Sequence, residues 1–343
     1  MDNKKELKGI SFKCSGCGST LKFDPVSQNL KCPSCEKIAI IEKTQTNTKH
    51  SINEAREGKR EGWIKESKMM RCQTCGAEII LNKLEFSGIC PYCSSSYVSD
   101  IDALLDIVPD SIIPFAFNET EAERRLKFQL RRKFYVPNSC KKNVKPESIK
   151  GTYIPSFAFD ANVKGTYSGT LKRRNENNED EFFQIKGVHN SRQRNVLIEN
   201  SSKITQQSLK KILPYDLDGA YSFSEGFVLG YVVEHYEDAF TVCLNQALKE
   251  MEQKVKQEIL SGYTYDYVKE FHLKCDFSEQ KYQYYVVPIY QMNFEYRKKK
   301  YNVVMNGQSG KIGGKLPVSV LKVLFTIFGV VLIIALFAWI SSI

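Results

Sequence analysis

The spacing of apolar residues along the middle of the chain predicts helices and strands in alternation. A helix is expected from Asn118 to about Phe134, because Asn118 or Thr120 can cap it and early glutamates suit the positive end of the helix dipole. From Thr152, aromatic and β-branched residues alternate with polar ones, as they do in strands. Further strands are predicted at Glu181–Val188, Val196–Glu199, Phe227–Glu234 and Tyr301–Met305.

A second helix is predicted from Tyr236 to about Leu260, where apolar residues recur at helical spacing until Gly262 ends the pattern. The mixture of helices and strands predicts an α+β domain over residues 107–310. Within it, Tyr153–Phe157 is similar to Val286–Tyr290, a short match that a duplicated β-unit would leave.

The most apolar segment is Val323–Ile340, which contains 18 residues and no charge. Extended over residues 316–341, it predicts one C-terminal transmembrane helix, with Lys322 reaching back to the headgroups and Trp339 at the far interface. A buried core helix is the alternative, but apolar residues cover every face of the segment. Lysines precede the segment and no charge follows it, so the positive-inside rule places the N-terminal part in the cytoplasm. The expected location is the cell membrane, with a single pass.

The first hundred residues carry a duplicated cysteine pattern. Two CxxC pairs separated by fourteen residues occur at residues 1–41, and the same arrangement recurs at residues 69–106 after a polar linker at 42–68. Gly18 and Gly76 follow equivalent cysteines, where a positive φ is needed. The eight cysteines are Cys14, Cys17, Cys32, Cys35, Cys72, Cys75, Cys90 and Cys93.

Two CxxC knuckles joined by a short hairpin bring four sulfurs into a tetrahedron, the arrangement of a zinc ribbon. In the first ribbon, Leu21–Phe23 and Leu30–Lys31 are expected to pair across the Asp24-Pro25 turn. The fold class predicted is thus two small β zinc ribbons followed by an α+β domain and one C-terminal transmembrane helix. Two structural Zn²⁺ ions are expected, since a catalytic zinc keeps an open position. A redox dithiol and an iron site are the rival interpretations.

The remaining cysteines, Cys140, Cys243 and Cys275, are isolated and are expected to act as small core residues. The first twenty residues are Lys-rich and show no signal-peptide pattern, so a reducing compartment and metal ligation are favoured over disulfides.

The formal net charge is +10. Two four-thiolate zinc sites lower it to about +6, which still suits an anionic membrane face or nucleic acid.

A tyrosine-rich stretch, Tyr282–Tyr301, contains the basic run Arg297, Lys298, Lys299 and Lys300. Three interpretations are open for it. The tyrosines fill a sheet core and the basic loop is solvated, or the stretch stacks on bases and contacts phosphates, or the basic run faces anionic lipid headgroups.

Motifs of several enzyme classes are absent from the sequence. There is no GxxxxGK[ST], no HExxH and no GxSxG, and the four histidines are scattered. The protein is therefore expected not to be an enzyme, and no small-molecule substrate is evident.

With these features assembled, the chain resembles bacterial membrane-anchored zinc-ribbon proteins, labelled TFIIB-type zinc ribbon-containing or primosomal helicase-like. The resemblance rests on the eight cysteines and on the stretch Tyr301–Lys311. It implies a cytoplasm-facing membrane protein and names no substrate, and the helicase label conflicts with the missing motor motif. The leading hypothesis is a non-enzymatic adaptor that holds a protein partner at the membrane. The alternatives are a membrane-tethered nucleic-acid-binding protein and an enzyme of unknown reaction in the α+β domain.

Overall fold

The structure is a computed structural model that describes residues 13–19, 21–45, 48–53, 67–72, 75–82, 87–92, 96–98, 109–142, 149–175, 178–201, 204–234 and 240–341. The strands are β1 (Lys22–Asp24), β2 (Asn29–Lys31), β3 (Ile38–Ala39), β4 (His50–Ser51), β5 (Ser67–Arg71), β6 (Glu78–Asn82), β7 (Ser87–Ile89), β8 (Ser96–Val98), β9 (Ser111–Ile112), β10 (Ile149–Arg174), β11 (Asp180–Glu199), β12 (Tyr221–Ser222), β13 (Val232–Glu234), β14 (Tyr267–Tyr296), β15 (Lys299–Asn306) and β16 (Ile312–Gly314). The helices are α1 (Glu119–Arg132), α2 (Asn138–Lys142), α3 (Gln206–Ile212), α4 (Phe240–Ser261) and α5 (Val320–Ile340). The fold is α+β and mostly β, with an apolar helix at its C-terminal end.

Helix α1 begins where the sequence predicts. The Asn118 side chain accepts a 3.0 Å hydrogen bond from the Glu121 N–H, which satisfies one of the free donors of the first turn. Ala122, Leu126 and Leu130 form its buried face. The expected second helix is α4, which begins at Phe240 in the described residues and ends at Ser261, just before Gly262.

Two predicted strands, Glu181–Val188 and Val196–Glu199, are one continuous strand, β11. The predicted strand Phe227–Glu234 is wrong in its first part, where Glu225–Val228 is a 3-10 helix and only β13 is extended. Tertiary contacts explain this difference. The Phe227 ring lies 5.5 Å from that of Phe23, and its carbonyl oxygen accepts a hydrogen bond from the Tyr153 hydroxyl.

Strands β10 and β14 form the centre of the main sheet. They pair antiparallel from Ile149↔Met292 to Lys172↔Tyr267. On the outer side, β10 pairs with β11 and with the parallel strand β13, while β14 pairs with β15, β4 and the parallel strand β9. Hairpin β5–β6 joins the same sheet through β13. Parts of the predicted linker and of the predicted second ribbon are therefore bonded into the sheet of the α+β region.

The short internal similarity has a structural counterpart. Thr152↔Val232 and Tyr153↔Val233 pair β10 with β13. In the internal similarity, Val286 corresponds to Tyr153, and Tyr285 therefore corresponds to Thr152. These two residues of β14 pair with Ile112 and Ser111 of β9. Each half of the α+β region thus contains a short strand, a helix and a long hairpin: β9, α1 and β10–β11 in the first half, and β13, α4 and β14–β15 in the second. The short strand of each half pairs with the long strand of the other half, β13 with β10 and β9 with β14.

The two faces of the sheet are covered differently. Tyr153, Phe157 and the alternate tyrosines of β14 pack under α1 and α4 on one face, together with Phe23 of the N-terminal region. Ile154 and Ala158 point to the opposite face, where α3 covers them. This alternation is the period-2 pattern of strands buried on both sides.

Helix α5 is apolar throughout, with a mean hydropathy of 2.9, and none of its side chains is buried against the described residues. A core helix would be covered by the rest of the protein. By its length and composition α5 is a candidate membrane-spanning helix.

Candidate metal centres

The first cysteine group, Cys14, Cys17, Cys32 and Cys35, comes together as the spacing predicts. All four Sγ atoms lie within 4.8 Å of one another, with Cys14 and Cys35 3.5 Å apart and Cys17 and Cys32 3.4 Å apart. A tetrahedron of sulfurs about 2.3 Å from a central Zn²⁺ has edges of about 3.8 Å. The group therefore fits a single four-coordinate metal ion.

Matching backbone turns hold each pair of sulfurs. Cys14 donates its N–H to the Ser19 carbonyl and accepts from the Gly18 N–H, while Cys32 donates to the Lys37 carbonyl and accepts from the Glu36 N–H. The turn requires a left-handed residue, which is Gly18 at φ 75° and Glu36 at φ 60°. The expected hairpin is confirmed, with Phe23↔Leu30 paired between β1 and β2.

The four sulfurs strongly perturb one another. The hydroxyl and N–H of Ser19, with the nearby sulfurs, lower the pKa of Cys17 to about 6. The Lys37 N–H favours the Cys35 thiolate, but the sulfurs of Cys14, Cys32 and Cys17 outweigh it and raise the Cys35 pKa to about 12. Four thiolates at this spacing repel one another unless a cation lies between them. A metal ion that displaces the last proton supplies that cation.

The second cysteine group contains Cys72, Cys75 and Cys90 among the described residues, again with all sulfurs within 4.8 Å. Its first turn repeats the first group, since Cys72 donates to the Ala77 carbonyl and accepts from the Gly76 N–H, with Gly76 at φ 70°. Cys93, the fourth predicted ligand, lies outside the described residues. Three sulfurs of the predicted four are therefore positioned to share a metal ion.

Both cysteine groups are fixed to the α+β region. The Phe23 N–H donates a 2.9 Å hydrogen bond to the Leu229 carbonyl, and the Gln28 amide donates to the Phe115 carbonyl. At the second group, the Asn293 amide donates to the carbonyl oxygens of Pro91 and Tyr92 at 3.1 and 2.8 Å. Sequence reasoning missed Asn293 because nothing near it in the chain relates it to a cysteine turn.

The three isolated cysteines take no part in either group. Cys140 and Cys243 are buried, as expected of small core residues, and Cys275 is half-buried against the core. No disulfide joins any of the described cysteines.

The basic run Arg297–Lys300 lies in the turn between β14 and β15 and in the first residues of β15. All four side chains are exposed, and Arg297 and Lys298 have φ values of 51° and 62°. Of the nearby tyrosines, Tyr282, Tyr284, Tyr285 and Tyr290 are buried. Their burial favours the core interpretation of that part of the stretch over base stacking.

A pocket of about 710 Å³ lies between the distal ends of β10 and β11 and the start of β14. Its polar groups are already paired with one another, since the Arg173 guanidinium pairs with Glu181 at 2.9 Å and Asp266 accepts a hydrogen bond from the Arg174 backbone N–H. This arrangement resembles a surface ion pair beside a capped turn more than a convergent acid–base pair.

The chain is 24% identical over 330 residues to the uncharacterized protein YdjG of Bacillus subtilis (strain 168), a match that covers 90% of this chain and 91% of that protein. No family model matches the chain. No solved structure matches it either.

Proposed function

We propose that this protein is a membrane-anchored adaptor in which two structural zinc ribbons form a recognition module on the cytoplasmic side. The four sulfurs of the first group would occupy every position of a tetrahedral Zn²⁺, which leaves none for a substrate or an activated water. The proposed role of the metal is to hold the shape of fragments that are too short to fold on a core of their own.

The observation that carries the adaptor hypothesis is the two-sided character of the first cysteine module, residues 13–41. One side is buried, with Phe23, Leu30 and Cys32 in the main core. The other side presents Ile38 and Ile40, whose side chains are 52% and 87% exposed. Exposed aliphatic residues in and just after β3, which follows the second cysteine turn, are suited to contact a protein partner.

The second support is helix α5, which would hold the recognition module at the membrane. Lys311 and Lys315 precede it, and a cytoplasmic location of these lysines follows the positive-inside rule. A reducing cytoplasm would also keep the cysteines available for metal.

Site-specific crosslinking tests this proposal. A photoreactive residue replaces Ile40 in the full chain in native membranes, and the control carries the same group at Val188, an exposed residue of β11. We expect a discrete protein adduct at Ile40 that is absent at Val188 and is lost in the Cys14→Ser, Cys72→Ser double variant. Equal capture at both positions, or an Ile40 adduct that survives loss of both metal sites, would contradict the adaptor role.

Nucleic-acid binding is a second candidate, supported by the formal net charge of +10 and the exposed run Arg297–Lys300. It predicts binding of RNA or DNA by the full chain in detergent, with an affinity that falls steeply as salt rises. Arg297→Gln together with Lys298→Gln should then reduce the salt dependence. No binding at low salt would eliminate this candidate.

A further inference from the structure

The C-terminal helix is held at its start by a segment that follows α1. The Lys322 ammonium donates hydrogen bonds to the carbonyl oxygens of Phe134 and Val136 at 2.9 and 3.0 Å, and to the Asn138 side chain at 2.9 Å. One turn earlier, the Ser319 N–H donates to the Tyr135 carbonyl at 2.8 Å. We call residues 134–138 the collar.

These contacts change the role expected of Lys322. An ammonium group has three N–H donors, and the collar supplies an acceptor for each of them. Lys322 therefore does not need to extend to lipid headgroups, as the sequence suggested. Because Lys322 lies in the first turn of α5, the collar must sit at the depth where that helix enters the bilayer.

The collar and the C-terminal part of α1 expose aromatic rings near the depth at which α5 enters the bilayer. Phe128 and Phe134 are 61% and 62% exposed, and Tyr135 is 43% exposed, although Val136 beside them is buried. Exposed aromatic rings are unfavourable in water but are enriched where a protein meets the membrane interface.

Cations surround these rings. Arg131, Arg132 and Lys133 are all exposed, and the Arg132 guanidinium lies 5.8 Å from the Phe128 ring centroid. No acidic residue occurs between Glu123 and Glu147. The helix dipole accounts for cations in the last turn of α1, but it does not account for the exposed rings among them.

The basic run Arg297–Lys300 lies toward the end of the sheet from which the chain leads into α5. Strand β16 runs antiparallel to β15 from Met305↔Ile312 to Val303↔Gly314, and so the chain leaves the sheet in the direction of the β14–β15 turn. The anchor begins six residues after Gly314.

We propose that the collar surface, made of Phe128, Arg131, Arg132, Lys133, Phe134 and Tyr135, lies in the headgroup layer and binds anionic phospholipids. The rings enter the interface while the three cations contact lipid phosphates. This inference rests on the proposed membrane anchoring. It adds a lipid-binding surface that would fix the orientation of the α+β region above the membrane.

Lipid photocrosslinking of the full chain in nanodiscs tests the location of the collar surface. A benzophenone side chain replaces Phe134 in one sample and Phe182 in another, since Phe182 is 53% exposed on β11 and pairs with Lys172, near the far end of β10 from Ile149. We expect lipid adducts at Phe134 and none at Phe182. Absence of adducts at Phe134 in chains that remain in the disc would overturn the inference and leave the anchor intact. Chains that fail to enter discs would instead refute the anchor itself.

The charge is tested in discs of phosphatidylcholine with and without phosphatidylglycerol. We expect the Phe134 probe to favour phosphatidylglycerol, and the triple variant Arg131→Gln, Arg132→Gln, Lys133→Gln to reduce that preference by about fivefold or more. The control is Lys186→Gln, Arg192→Gln, Arg194→Gln, which removes three exposed cations from β11 and should leave the preference unchanged. Equal capture of both lipids by the parent chain, or equal loss in both triple variants, would overturn the anionic-lipid assignment.

Discussion

Pro155 and Pro288 occupy equivalent positions in the two central strands of the sheet. On its outer side, β10 pairs with β13 before Pro155 and with β11 after it. In the same way, β14 pairs with β9 before Pro288 and with β15 after it. The Pro155 carbonyl accepts from the Asn200 N–H at 2.9 Å, and the Pro288 carbonyl accepts from the Gly307 N–H at 2.8 Å. Proline has no N–H to donate, so it is tolerated in a central strand only where the ladder is interrupted.

Gly307 is closely packed at this junction. A Cβ atom there would lie 2.6 Å from a Phe115 ring carbon and 2.8 Å from the Pro288 Cβ. We expect Gly307→Ala to lower the free energy of unfolding by about 1–3 kcal/mol through overpacking. The control, Gly226→Ala, meets its nearest atoms, on Ile41, at 3.4 Å and should change the free energy far less. Denaturant titration of the full chain in detergent, followed by circular dichroism, measures both, and equal effects would contradict the packing argument.

Metal content is the next prediction. We expect about two zinc ions per purified chain by elemental analysis. Cys17→Ser should remove one of them, because three thiolates and a hydroxyl hold Zn²⁺ far less tightly than four thiolates do. Cys275→Ser should retain both ions, since Cys275 lies outside the two cysteine groups. A chain that carries iron, or no metal, would refute the prediction.

The collar predicts a specific effect of Lys322. Lys322→Met removes three hydrogen bonds from residues 134–138 while making α5 more apolar. We therefore expect faster amide hydrogen exchange in the collar and unchanged retention in the membrane. Lys315→Met is the matched control, because Lys315 is exposed and precedes the helix. Exchange that is the same in the parent chain and in Lys322→Met would show that the hydrogen bonds do not hold the collar.

Local signals in the sequence were sufficient for the features that depend on neighbouring residues. The Asn118 cap, the β1–β2 hairpin and the glycine turn at Gly18 each follow from a few adjacent positions, and all three are present. The first cysteine group was also predictable, because metal ligation requires fixed spacing within each knuckle.

Features that depend on distant pairing were not predictable. The 3-10 helix at Glu225–Val228 forms because Phe227 packs against Phe23, about two hundred residues earlier in the chain. Likewise, β13 pairs with β6 and β10, and no pattern within its three residues specifies either neighbour. The contact between Lys322 and the collar joins segments that are far apart in sequence, so the sequence predicted only a lysine that reaches back to the headgroups.

Glu199, at the end of β11, predicts a pH-dependent stability. Its side chain is buried, and Oε1 has no hydrogen-bond partner among the described residues. Burial raises the pKa of the Glu199 carboxyl group from 4.5 to about 7. A hydrogen bond from the Glu199 backbone N–H opposes this rise, and the negative charge of Glu250 adds to it. The folded state therefore holds this proton more tightly than the unfolded state. The resulting stabilisation is complete below about pH 4.5 and is lost as the pH rises through about 7.

Glu199→Gln replaces the carboxyl group by a neutral amide and should remove this loss. At about pH 8 we expect the variant to be more stable than the parent chain by up to about 3 kcal/mol, and at about pH 4.5 the two should be nearly equal. Glu181→Gln is the control with the opposite pH dependence of stability. Arg173 lowers the pKa of Glu181, and this exposed ion pair is favourable only when Glu181 is charged. Thermal unfolding of the full chain in detergent at both pH values measures the difference. A Glu199→Gln variant whose stability follows that of the parent chain at both pH values would show that this carboxyl group is solvated or paired in the folded protein.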